Sequence, residues 1–405
     1  MKSITLYERF FLKILTPMQK GYLQVELPSG AVFTAGDKSN THHADLCIKK
    51  SAFFSRIALY GDVGFAESYM RNEWETSDLT KLLSWFLLNV DTAPTLSVSK
   101  IRKGFLNIFR FLNKAWHNAR KNSITGARKN ITAHYDLSND FFALFLDNTM
   151  TYSSAYFTKP DMRLEEAQLM KYENLCSSIK LKATDHVLEI GTGWGGFALY
   201  AAKKYGCRIT TITISEQQYN YARQRISIEG LDGQIDVQLK DYRLIEGQYD
   251  KVVSIEMIEA VGARYLKKYF SKIHDVLKPN GVLGLQAIVC PDSRFDTIRR
   301  RVDFIQKHIF PGSLLPSVAA INKSVNATGD MFLFNMHDLG RSYAKTLANW
   351  RSQFELHKRE IEKMGFDMEF IRKWRYYFSY CEAAFAMRNI NVVQMVYTRP
   401  NNLEF

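Results

Sequence analysis

From Leu164 onwards, short apolar runs alternate with amphipathic stretches. Leu164–Ile179 repeats its apolar side chains at helical spacing and leads into Val187–Ile190, three apolar residues around one acid. The continuation is regular: a helix to Tyr205, a strand over Arg208–Ile214, a helix over Gln217–Ile228, strands over Ile235–Leu239 and Lys251–Ile255, a helix over Tyr265–Leu277, a strand over Val282–Val289. Strands alternating with helices predict a parallel sheet covered on both faces. Ligands bind such sheets at the carboxyl ends of the strands. That rule gathers Gly191, Thr213–Ser215, Asp241, Glu256, Glu259 and Gln286–Ile288 around one crevice. Further on, Pro291–Asn326 predicts no strand and reads as an inserted lid, Leu339–Lys363 reads as helix, and Gly365–Trp374 and Asn391–Thr398 read as edge strands.

The front of the chain is patterned differently. Tyr22–Leu27 and Ala31–Phe33 flank Pro28-Ser29-Gly30, a hairpin signal. Leu46–Ile48 and Ile57–Leu59 are strand candidates, Gly61-Asp62-Val63-Gly64 marks a turn, and Ala66–Met70 and Leu79–Asn89 read as helices. The result is a small α+β module. His42 and His43 have no third ligand at metal-binding spacing, and no metal is expected.

The apolar run at Val187 ends in Gly191-Thr192-Gly193-Trp194-Gly195-Gly196 and passes into a helix. Glycines there allow positive φ and close approach of a ligand, and the helix start offers unpaired N–H groups and a partial positive charge. The nucleotide fingerprint is G-x-G-x-x-G with a distal acid. Here the spacing is G-x-G-x-G-G, and Glu189 stands just before the first glycine. This suits a cofactor with an amino-acid tail, its carboxylate against the turn and its ammonium beside Glu189. S-adenosylmethionine is the leading candidate, with a dinucleotide or a purely structural turn as the alternatives.

Composition narrows the setting. At 405 residues, 46% hydrophobic, the chain is long enough for two domains and is not disordered. Its five cysteines are odd in number and never spaced C-x-x-C, which predicts reduced thiols in a cytoplasmic setting. Met1–Lys20 reads as a helix rather than a signal peptide, and no run approaches the ~18 apolar residues of a membrane span. The net charge of +13 is concentrated: Ser99–Asn130 holds nine Lys/Arg, among them Lys100, Arg102 and Lys103, and no acid. Ile101, Phe105, Ile108, Leu112 and Trp116 recur there at helical spacing. Basic residues opposite Phe, Trp and Leu are the pattern of an interfacial membrane helix; a domain-linking helix is the plainer alternative. The divisions expected are 1–95, a basic linker over 96–130, and 131–405 with a lid over 291–326.

Several motifs then stand in order: His134-Tyr135-Asp136-Leu137-Ser138-Asn139-Asp140-Phe141-Phe142, Tyr152-Ser153, Glu189–Gly196, Thr213-Ile214-Ser215, and Ile309-Phe310-Pro311-Gly312 followed by Leu315-Pro316-Ser317. Together they resemble the cyclopropane-fatty-acyl-phospholipid synthase family. Gly61–Glu67 and Glu73-Trp74 look like the N-terminal domain of its longer members. The resemblance implies a Rossmann-like, doubly wound α/β sheet of the class I methyltransferase type with a small α+β domain in front. It implies transfer of a methyl or methylene group from S-adenosylmethionine to the cis double bond of a phospholipid acyl chain, forming a cyclopropane. An alkene carries no proton to remove before attack, so a dry apolar tunnel and proximity are needed rather than a strong base. Aromatic faces ease the resulting cation.

The resemblance assigns the cofactor to Tyr135, Tyr152 and Ser153 at the methionine end, Glu189, Gly191, Gly193, Trp194 and Gly195 at the turn, Thr213, Ser215 and Gln218 towards the ribose, and Asp241 and Tyr242 at the adenine. It implies a bicarbonate ion held by Ser154, Glu259, Gln286, Ile288 and Tyr343. The chain departs from the family pattern at Ser154 (cysteine elsewhere), at Glu259-Ala260 (Glu-His) and at Gln286-Ala287-Ile288 (His-Thr-Ile). Gln286 can donate a hydrogen bond but cannot shuttle a proton near neutrality. Glu-Met-Ile-Glu-Ala-Val-Gly and Leu-Gln-Ala-Ile resemble a subset giving methyl- or methylene-branched chains, the first alternative. A small-amine N-methyltransferase is the second. The expected partner is an anionic phospholipid surface at the inner face of the membrane, not nucleic acid; a homodimer follows from the family alone. Glu256 is a candidate partner for a lid arginine, and Arg299–Arg301 are either a grip on lipid phosphate or simply solvated.

Overall fold

The computed structural model describes residues 5–91 and 137–405. The basic segment 99–130 and His134-Tyr135-Asp136 lie outside the described residues. The chain divides into two compact units that are not contiguous in sequence. One takes in the described part of Met1–Ala119 together with Arg300–Pro311 and Phe354–Asn389; the other takes in the described part of Arg120–Arg299, Gly312–Gln353 and Ile390–Phe405. The expected division placed 300–311 and 354–389 with the C-terminal part, and their contacts lie elsewhere.

In the first unit, β1 (Tyr22–Glu26) and β2 (Val32–Gly36) form the expected antiparallel hairpin. β3 (His43–Ile48) lies parallel to β1 and pairs with β4 (Trp74–Glu75), giving the order β2-β1-β3-β4. Ile57–Leu59 is not a strand. It lies in a helix, Ala52–Met70, whose buried Phe53, Phe54 and Ile57 follow helical spacing. Gly61 breaks that helix at φ 61°, ψ −132°, where the turn signal stands. Gly365–Trp374 is not a strand either. Gly365 takes φ 91°, and the Asp367 side chain caps a new helix, Met368–Ala386, by accepting from Phe370 N–H. Its buried Ile371, Trp374 and Phe378 fall on one helical stripe.

The second unit carries a seven-stranded sheet, ordered β10-β11-β9-β8-β5-β6-β7. Its strands are β5 (His186–Ile190), β6 (Arg208–Thr213), β7 (Ile235–Leu239), β8 (Tyr249–Ile255), β9 (Leu277–Val289), β10 (Phe332–Asp338) and β11 (Asn391–Thr398). β7, β6, β5, β8 and β9 are parallel, and β11 runs antiparallel between β9 and β10. β11 is therefore interior, not an edge. β10 is the edge strand, and its mixture of exposed Phe332, Phe334 and Met336 with polar residues hides it from a periodicity reading. Leu188 and Ile190 pack into one apolar cluster and Val187 into the other, so β5 is buried on both faces. That double burial accounts for the near-continuous apolar pattern of the central strands. The chain reverses direction across the sheet between β5 and β8, which places a crevice at their carboxyl ends.

Candidate active site

β5 hands over to the helix Gly196–Tyr205 through a turn in which Gly191, Gly193 and Gly195 hold φ of 104°, 51° and 87°. The N–H groups of Gly191 and Thr192 both donate to Ile212 O at 3.0 Å, fixing the turn against β6. A side chain at Gly193 would meet nothing within 4 Å, so the turn faces open space at the strand ends. This is the room an approaching ligand needs. Glu189 is buried on β5 and accepts from Thr211 Oγ1 at 2.6 Å; burial pushes its carboxyl up to about 8. Trp194 is buried and donates to Asn139 Oδ1 at 2.8 Å, so its indole anchors the helix Asn139–Ala143.

The second edge of the crevice is a closed local network. Thr213 Oγ1 donates to Gln218 Oε1 at 3.0 Å and accepts from Ser215 N–H at 3.1 Å, while Ser215 Oγ accepts from Gln218 N–H at 3.3 Å. Ser215 thereby caps the helix Glu216–Ile228, and the Gln218 amide NH2 remains to meet ligand hydroxyls. The Asp241 carboxylate holds Arg243 in a buried two-pronged ion pair, 2.7 and 2.6 Å, with the Tyr242 ring next to it in sequence. Tyr152 lies among aromatic rings, 5.3 Å from Phe142 and 5.2 Å from Trp350, and Trp350 meets Tyr343 edge-on at 6.0 Å.

Across from the glycine turn the predicted residues converge, with additions. The Ser154 N–H donates to Glu256 Oε1 at 2.8 Å, and the Gln286 amide donates to the same oxygen at 2.8 Å and to Ser154 O at 3.3 Å. Tyr343 also hydrogen-bonds Glu256. Glu259 Oε1 accepts from Ile288 N–H at 2.6 Å, and its Oε2 is buried without a partner among the described residues. Behind them Gln394, paired across β11 with Gln286, donates to Gln286 Oε1 at 2.9 Å and to Lys171 O at 3.1 Å. Lys171, fully buried on the helix Leu164–Ser178, donates from Nζ to Ser153 Oγ at 2.7 Å.

The electrostatics follow from burial. Desolvation pushes Lys171 down to about 7, opposed by the charges of Glu256, Asp147 and Glu189. Desolvation raises Glu256, opposed by its hydrogen bonds from Ser154 and Gln286 and by Lys171. Glu259 is pushed up to about 8 by burial and by the neighbouring Glu256, so it is protonated at neutrality. The opposed shifts of Lys171 and Glu256 share one cause, burial that disfavours the charged form of each.

Of the lid arginines offered to Glu256, Arg299 pairs with Asp296, 2.7 Å. The implied bicarbonate does not fit. Ser154 N–H and the Gln286 amide already serve Glu256, and Ile288 N–H serves Glu259. An added anion would have to displace both side chains from the donors they already occupy. Lys171 and the role of Glu256 escaped the sequence reading, although Lys171 shares a helical stripe with Ala167 and Leu175, an apolar position that asks why a lysine stands there.

A parallel sheet with an antiparallel strand between its last two members, a glycine turn at the point of reversal and an acid beside it define a class I S-adenosylmethionine-dependent methyltransferase. The chain belongs to the mycolic acid cyclopropane synthetase family, whose model matches residues 122–395. It is 38% identical over 358 residues to a tuberculostearic acid methyltransferase of Mycobacterium tuberculosis, covering 87% of this chain and 82% of that protein. It is 34% identical over 361 residues to the cyclopropane-fatty-acyl-phospholipid synthase of Escherichia coli K12, covering 88% of each. Among solved structures, the cyclopropane synthase MmaA2 from Mycobacterium tuberculosis superimposes with a TM-score of 0.62 at 30% identity, covering 67% of this chain and 98% of that one. The protein is thus a methyltransferase of lipid metabolism that uses S-adenosylmethionine, and the open glycine turn with Glu189 and Gln218 beside it suits that cofactor.

Proposed function

We propose that the enzyme transfers a methyl group from S-adenosylmethionine to the cis double bond of an unsaturated acyl chain in a membrane phospholipid, leaving a methyl- or methylene-branched chain. The observation that carries this reading is the aromatic wall of Phe142, Tyr152, Trp350 and Tyr343 beside the buried Glu256–Gln286–Ser154 cluster. An alkene needs apolar surroundings for its chain and π faces for the developing cation. It needs no activated nucleophile on the protein. The cofactor supplies an electrophilic methyl when bound. Tyr152 and Ser153 would hold its methionine end, Glu189 its ammonium, and Gln218 its ribose. Tyr152, Tyr343 and Trp350 exclude water and offer their faces to positive charge. Glu259, neutral at pH 7, adds none of the negative charge that would draw water in. Similarity over most of the chain to a relative named for methylation supports branching. Equal coverage of a relative named for ring formation makes a cyclopropane product the second reading.

The acceptor reaches the enzyme at a membrane surface, to which the basic, acid-free segment 99–130 would bind; no helix among the described residues is long and apolar enough to cross a membrane. The test uses the full chain, labelled cofactor and vesicles of unsaturated phospholipid. Label is expected in the acyl chains, more with anionic than with zwitterionic vesicles. Reversing the charges of Lys100, Arg102 and Lys103 should weaken vesicle binding and flatten its salt dependence. NMR of the released fatty acid then separates ring from branch. Absence of label at every lipid composition would defeat the reading.

A further inference from the structure

We propose that the carboxylate of Glu256 is the built-in proton acceptor of the reaction, occupying the position that the family resemblance gives to a bicarbonate ion. The inference rests on the function proposed above and deepens it. Glu256 Oε1 is the point on which the Ser154 N–H and the Gln286 amide converge, each at 2.8 Å, with Tyr343 bonded to the same carboxylate. These are donors expected to hold an external anion. Here the chain provides the anion itself.

The backbone is an independent sign. Glu256 sits at φ 50°, in the left-handed region, while its N–H donates to Gln286 O at 2.9 Å. A non-glycine residue there carries backbone strain. Glycine would relieve it, and a glutamate at such a place is retained for its side chain. The carboxylate is also furnished with what a buried base requires. The charge of Lys171 opposes its desolvation; Glu259, the neighbouring carboxyl, is pushed up to about 8 and adds no negative charge at pH 7; and Tyr343 links it to the aromatic wall through Trp350.

The chemistry balances. The π pair of the alkene forms the bond to the methyl carbon as the carbon–sulfur bond breaks, its pair leaving with the sulfur. A carbocation remains on the neighbouring acyl carbon. A C–H bond of the added methyl then gives its electron pair to a ring bond directly or, once a hydride has moved from the methyl-bearing carbon to the cationic carbon, to an exocyclic double bond, and in either case its proton passes to Glu256. The acid sheds that proton to solvent before the next turnover.

The test measures methyl transfer to vesicles of an unsaturated phosphatidylglycerol in carbon-dioxide-depleted buffer, with and without added sodium bicarbonate. The wild-type rate should be the same in both. Glu256→Gln, which keeps the size and the acceptor oxygen but cannot take a proton, should lose about 10²–10⁴-fold. Glu256→Gly, which suits the backbone and empties the position, should lose as much and regain part of it with bicarbonate. Carbon-13 NMR of labelled bicarbonate reads the same position without any acyl substrate: binding is expected for Glu256→Gly and not for wild type. The proposal is overturned if the wild type slows several-fold without bicarbonate, if it binds bicarbonate as the glycine variant does, or if Glu256→Gln keeps the wild-type rate. A wild type that labels no acyl chain overturns the proposed function instead, and the NMR comparison still decides what fills the anion position.

Discussion

A lysine in an apolar helix stripe asks for a negative charge, and the strongest that opposes the desolvation of Lys171 is that of Glu256. Each favours the charged form of the other. Lys171 touches Ser153, so it acts by position and charge rather than on the acceptor. Removing its charge while keeping its bulk, in Lys171→Met, takes away a stabiliser of the Glu256 carboxylate and raises that group's pKa further. The base is then available only at higher pH. The acid limb of the kcat profile should therefore move upward in pH, with a smaller change in cofactor KM; an unmoved limb would assign Lys171 a packing role. At this scale the sequence was informative about residue type and silent about pairing. Ser154, Gln286, Glu259 and Ile288 do gather in one place. Glu256 has no assigned role in the sequence because a left-handed glutamate leaves no trace in hydropathy, and nothing in the pattern singles out Lys171.

Elements that repeat one period over a long run were readable; those that depend on neighbours were not. The parallel strands and their helices follow from buried apolar runs, and the glycine turn follows from its spacing. Met368–Ala386 reads as alternating near its start because Phe366, Met368 and Phe370 fall at every second position, whereas its buried stripe of Ile371, Trp374 and Phe378 becomes visible only further along. β11 was placed at an edge because its partner β10 carries exposed apolar and polar residues with no clean period. The interior position matters to the site. Gln394 on β11 serves Gln286 Oε1 and Lys171 O and accepts from Asn174 at 2.6 Å. Gln394→Leu leaves those groups buried without partners, at about 1–3 kcal/mol each at most. Urea unfolding should show a loss of that order, and kcat should fall more than cofactor KM rises, since Gln286 loses the group that orients it. Unchanged stability would show that water replaces the amide.

For the whole molecule, the buried carboxyls set a dependence of stability on pH. Glu189 and Glu259 titrate near 4.5 when unfolded and near 8 when folded. Between those values the folded chain keeps protons that the unfolded chain has shed, so their contribution is full below 4.5 and is lost as the pH rises through 8. Lys171, near 10.5 unfolded and about 7 folded, works in the opposite sense: its contribution is present above 10.5 and is lost as the pH falls through 7. The carboxyls therefore dominate on the acid side of neutrality. Thermal unfolding midpoints of the cofactor-free protein should decline between about pH 5 and pH 7, and Glu259→Gln should flatten that decline. A wild-type midpoint that rises over the same range would show that these groups are hydrated and titrate normally.

β11 also has a meaning for how the enzyme is made. It follows β9 and β10 in sequence, it lies between them in the sheet, and it delivers the glutamine that orients Gln286. During synthesis, domains generally fold from the N-terminus first, so the glycine turn and most of the parallel sheet can form on the ribosome while β9 and β10 still wait for the strand between them. A nascent chain that has not yet made β11 is thus a half-built sheet with an unoriented base, and it becomes a methyltransferase only when that strand takes its place. Truncated translation products would be inert towards lipid, and the two open strand edges they expose would mark them for degradation.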